Sequence, residues 1–140
     1  MKRVLLVVLV SCCLAAAALL LKPSDPYANH FESPIPTGSR MLHYQRCPAG
    51  LDISYAFVFE VADDTLAKQI IREWQLTAST DGGDEPTSFV VRRPPAWWPA
   101  EKELMAMPEK YAWTDKNSEQ YRSLWVDRDH HRIYAECGQW

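Results

Sequence analysis

The spacing of apolar residues divides the chain into three zones. Residues 4–21 (VLLVVLVSCCLAAAALLL) are apolar at every position except Ser11. Residues 22–39 show no period. Prolines at 23, 26, 34 and 36, with Ser, Asp, Asn and Gly between them, stop both helix and ladder from propagating, so this stretch reads as a tether. From Arg40 onward two periods alternate. Over 52–61, Ile53, Tyr55, Phe57, Phe59 and Val61 fall on one face and Ser54, Ala56, Val58 and Glu60 on the other, the pattern of a half-buried strand. Residues 41–46, set off by Cys47-Pro48-Ala49-Gly50, are its expected hairpin partner. Asp63-Asp64-Thr65 then supply capping oxygens and negative charge at a helix start. Leu66, Ala67, Ile70, Ile71 and Trp74 recur at three- and four-residue intervals, which predicts an amphipathic helix over 64–74.

Two further segments, Gln75–Thr80 and Thr87–Arg93, flank the turn formers Asp81-Gly82-Gly83-Asp84-Glu85-Pro86 and read as a second hairpin ended by Pro94-Pro95. A short helix is expected around 101–107, followed by strands at 110–114, 121–127 and 132–137. Leu124, Val126, Ile133 and Ala135 would form the inner face of the last hairpin. The order implies an α+β domain over 40–140. Its core would be a single antiparallel sheet of about five to seven strands, with one main amphipathic helix packed across it. Phe31 and Ile35 are the tether residues suited to fold back onto it.

The 140-residue length allows one such domain. Lys2 and Arg3 precede the apolar run, the arrangement of an n-region and h-region that directs export, so residues 1–21 read as a signal peptide or N-terminal membrane anchor. The 18-residue stretch would rise about 27 Å as a helix, close to the roughly 30 Å hydrocarbon layer, so an uncleaved anchor is one fate. Cleavage within Ala15–Ala18 is a second. Without Lys2 and Arg3, residues 22–140 hold 13 basic against 18 acidic side chains, a formal −5. That balance disfavours nucleic acid held through its phosphates.

Leu9-Val10-Ser11-Cys12 resembles the lipobox of bacterial lipoproteins. The resemblance implies a third fate, in which Cys12 is diacylated, the chain is cut before it and the lipid holds the protein at a membrane. Each fate places the domain outside the cytoplasm, in the cell envelope. There Cys47 and Cys137 are the only pair in the exported part, and an even count in an oxidising space points to a disulfide. Closing a loop of that length would contribute about 4–5 kcal/mol. The competing readings are two small buried hydrophobes, or a thiol working with His43 or His131.

Candidate chemistry is sparse. Pro94-Pro95-Ala96-Trp97-Trp98-Pro99 presents two indoles on a stiff backbone, suited to stacking on a glycan, a peptide or a partner protein, or to capping the core. Arg92 and Arg93 beside it are a carboxylate or phosphate recogniser, or a solvated strand end. Asp127-Arg128-Asp129-His130-His131 gathers ligand-type side chains. Adjacent histidines on extended chain point to opposite faces, so a polar hairpin turn is the reading, and no metal or other cofactor is expected. Glu60 and Glu136 read as surface charges on strands. No nucleophile elbow, zinc-protease helix or phosphate-binding glycine loop occurs. The expectation is therefore a non-catalytic, membrane-tethered, extracytoplasmic binding or accessory protein of a bacterial envelope. An immunity- or inhibitor-type protein against a secreted enzyme is the alternative, and a small envelope hydrolase the third.

Overall fold

In the computed structural model the described residues are 25–49, 52–79, 94–115, 117 and 119–139. The apolar stretch with Cys12, the segment 80–93 with Arg92 and Arg93, and Trp140 lie outside them. Contacts divide the chain into Met1–His30 and Phe31–Trp140. In the smaller unit residues 26–30 form a turn in which the His30 amide donates to the Tyr27 carbonyl at 3.0 Å.

The larger unit is α+β and mainly β. Its strands are β1 (Arg40–Ala49), β2 (Asp52–Glu60), β3 (Thr77–Ala78), β4 (Glu109–Asp115), β5 (Gln120–Asp127) and β6 (Arg132–Gln139). Its helices are α1 (Thr65–Trp74) and α2 (Glu101–Ala106). The strands form one six-stranded sheet in the order β1-β2-β6-β5-β4-β3, antiparallel at every pairing. Of the expected strand over Gln75–Thr80 only Thr77–Ala78 pairs, against β4, and its expected partner falls outside the described residues.

The N-cap of α1, Asp64, makes no side-chain capping bond. One residue before it the Asp63 carboxylate accepts the Thr65 amide at 2.8 Å, and hydrogen bonds from the Thr65 side chain and amide hold that carboxyl below its ordinary value. Gln75, in the left-handed conformation, ends α1 with its amide on the Arg72 carbonyl. Leu66, Ala67, Ile70 and Trp74 are buried as their spacing requires. Trp74 stacks on Phe31 at 4.8 Å, and Phe31 sets its edge against Phe57 and Phe59.

Residues 31–36 are thus part of the domain and not a free tether. Glu73 accepts the amides of Glu32 and Ser33, while the Gln69 amide donates to the carbonyls of Ser33 and Pro34. Prolines that cannot donate to a ladder leave carbonyls for a helix side chain to satisfy.

The register assigns each side chain to a face. Ile53, Tyr55, Phe57 and Phe59 share one face with Leu124, Val126, Ile133 and Ala135, the inner face expected for the last hairpin. The expected half-buried strand is instead buried on both sides. Ala56 and Val58 on the second face pack with Trp98, Leu104, Trp125 and Tyr134 in a separate hydrophobic cluster. The physical reason is position: β2 is interior to the sheet, and both its faces are roofed. One irregularity breaks the alternation, a bulge in β1 between Met41 and His43 that leaves Leu42 as the extra residue.

Candidate functional site

The turn that carries the tryptophans is closed by the Trp98 amide donating to the Pro95 carbonyl at 2.9 Å. It splits the two indoles. Trp98 is 7% exposed and meets Trp125 and Tyr134 edge-on at 6.1 and 5.9 Å, so it belongs to the core and not to a binding surface. Trp97 is half-buried, stacks on exposed His43 at 5.1 Å with the rings 12° from parallel, and sets its edge to Trp98.

Beyond Trp97 lies an open groove of about 610 Å³, within the range of small-ligand sites. One wall is Ala96–Pro99, another is the end of α2 with Met107, and the third is the β5–β6 turn with Asp127, Asp129, His130 and Arg132. Two stretches widely separated in the chain, the aromatic turn and the Asp-His turn, therefore meet in one place. Sequence reasoning weighed them apart.

The β5–β6 turn is rigid for identifiable reasons. Both Asp127 oxygens hold His130, one accepting its amide at 3.2 Å and the other 2.7 Å from Nδ1. A carboxylate can only accept, so Nδ1 donates to it and Nε2 is the ring nitrogen left to other partners. His131 takes a left-handed φ of 53° and lines a separate cavity of about 160 Å³ beside the start of α1. The two histidines thus diverge, but through a turn with a left-handed His131 and not by the alternation of an extended chain. Arg128, earlier in the same turn, is bound by Glu109 through Nε and Nη2 and by Asp64 through Nη1, contacts that hold its pKa above the ordinary value. Arg132, hydrogen-bonded to the Tyr134 side chain, is likewise held in its charged form.

The cysteines correct the expected disulfide. Cys47 pairs across the sheet with Ser54 and so with Gly138, whereas Cys137 pairs with Tyr55. Neighbouring residues on a strand point to opposite faces, so the two thiols lie on opposite sides of the sheet and are not bridged. Burial pushes Cys137 up to about 12 and also raises Cys47, where Glu136 adds to the effect. Tyr121 is raised by burial and by the charge of Glu136. All three groups hold protons more tightly folded than unfolded. Their contribution to stability should therefore be flat from neutral pH to about 8.5 and be lost as pH climbs toward 12, as thermal melts across that range will read. Peptides bearing Cys47 and Cys137 should both be alkylated after denaturation without reductant. An unalkylated, bridged pair would contradict the assigned register.

Glu136 is the site residue that sequence reasoning misplaced. It is fully buried, accepts the Tyr121 hydroxyl at 3.1 Å, and faces the same side of the sheet as buried Ser54 and Ser123. Glu60, by contrast, is exposed and paired with Arg40 at 2.6 Å. The signal for Glu136 was alternation with Ile133 and Ala135 in a strand that also carries Tyr134, which makes its second face buried too. Among the described residues no three His, Cys, Asp or Glu side chains are placed to hold one metal ion, and no helix is long and apolar enough to cross a membrane. Comparison of the chain with protein-family models, with curated proteins and with solved structures finds no match.

Proposed function

We propose that the chain is a membrane-tethered, extracytoplasmic binding or accessory protein of a bacterial envelope, held by its N-terminal apolar segment or by a lipid on Cys12. It presents the Trp97 groove to its ligand. The observation that carries this reading is the convergence of Trp97 with Asp127, Asp129, His130 and Arg132 around one concavity. In this reading α1 lies across the sheet face of Phe57, Leu124 and Ile133 and stabilises it, which frees the opposite face to build the groove wall from Trp98 and Tyr134. The described lining holds an oriented imidazole but no thiol and no aliphatic hydroxyl, which supports binding over serine- or cysteine-type catalysis. An inhibitor role would draw on free acidic charge, and Arg128 already occupies Asp64 and Glu109.

Two measurements test the proposal. A periplasm-dependent phosphatase fused behind Trp140 should be active in intact cells, with the mass of the membrane-extracted chain reporting which tether is used. Trp97→Ala should lower the melting temperature by only a few degrees, because its indole is half-buried, yet abolish retention of isolated envelope material. An inactive reporter, or unchanged retention by the variant, would end the proposal.

A further inference from the structure

Trp97 is held between two rings. His43 lies parallel to it at 5.1 Å, Trp98 stands nearly perpendicular to it at 5.9 Å, and the indole lines a face of the groove. Around that face stand groups with flat, paired hydrogen-bonding edges: the Asp129 carboxylate, the Arg132 guanidinium and the His130 ring held by Asp127. Platform and rim together match one kind of molecule. A sugar ring has an apolar C–H face that stacks on an indole, and a rim of hydroxyls that each donate and accept.

We infer that the groove binds a carbohydrate, uncharged or amino-bearing, with one ring stacked on Trp97 and its hydroxyls held by Asp129, His130 and Arg132. The inference rests on the proposed binding role of this groove. The charge of the lining fixes the sign of the ligand: Glu103, Asp127 and Asp129 outnumber Arg132, so acidic sugars and phosphates are repelled. A peptide lying as an added strand would need an open sheet edge. The strands that reach the groove, β5 and β6, are interior and paired on both sides.

The test uses the full chain in detergent micelles and three probes: the tetramer of N-acetylglucosamine, the tetramer of glucosamine, and tetragalacturonate. Calorimetric titration should show saturable binding of at least one of the first two and none of the third. Trp97→Ala should weaken that binding tenfold or more, about 1.4 kcal/mol, with the fold retained. Asp129→Asn should weaken the amino-bearing tetramer more than the acetylated one. Binding of tetragalacturonate as tight as the others, or wild-type affinity in Trp97→Ala, overturns the inference. A benzophenone side chain installed in place of exposed Ala96 separates the two levels of failure. Periodate-sensitive adducts in irradiated cells support a carbohydrate. Protein adducts overturn the carbohydrate and leave a binding groove, whereas no adduct together with no bound probe removes both.

Discussion

Trp98→Ala should cost roughly 3–5 kcal/mol of stability and lower the melting temperature by more than about 10 °C, the effect of deleting a large aromatic from a packed interior. The indole touches Trp125 and Tyr134 edge-on, and through the cluster that includes Ala56, Val58 and Leu104 it ties the Pro-rich turn and α2 to one sheet face. Its neighbour provides the internal control. Trp97 has the same chemistry one residue away, yet is half-buried, so the two alanine variants should differ severalfold in their effect on the melt. Equal losses would mean that the turn does not divide the indoles as described.

Gly138→Ala should be nearly as damaging, at roughly 3 kcal/mol, because an added methyl has nowhere to go. A Cβ at this position would lie 2.6 Å from the Tyr121 hydroxyl and 2.8 Å from the Ile53 carbonyl. The carbonyl belongs to the neighbouring strand and cannot yield without opening the β2–β6 ladder. Displacing Tyr121 would also break its hydrogen bond to buried Glu136, leaving a carboxylate without one of its donors. The Tyr121→Phe background separates the two costs. There the hydroxyl clash and the hydrogen bond are already gone, so Gly138→Ala should be milder, with the contacts to the ring carbon Cε1 and to the Ile53 carbonyl, both at 2.8 Å, remaining. Additive losses in the double variant would show that Gly138 and the Tyr121–Glu136 pair are independent.

Period alone made much of this fold legible. Strand β2, helix α1 and the β5–β6 hairpin lie within a residue or two of where alternation and three- and four-residue spacing place them, because each buries a regular apolar face. What period does not report is the number of layers. Ala56 and Val58 are apolar on the face that reads as outward, and only the arrival of Trp98 and Leu104 from far along the chain reveals that this face is also roofed. The same gap explains Glu136 and the cysteines. Whether a strand residue is solvated, or which face a thiol takes relative to another five strands further along the chain, depends on the order β1-β2-β6-β5. That order is a property of pairing between distant segments. The groove was half legible: the Pro-Trp turn and the Asp-His turn each stood out by composition, and their meeting did not.

The bulge at Leu42 makes β1 uneven in its tolerance of length change. Removing that one residue would merge Met41 and His43 into an ordinary alternation, with Phe59 and Val58 still opposite them. Removing a residue between Tyr44 and Cys47 would instead invert every following side chain, carrying Cys47 outward and Arg46 into the core. Descendants of this chain can therefore lose or gain a codon at one spot in the strand, while a few residues further on the reading of inside and outside admits no slip.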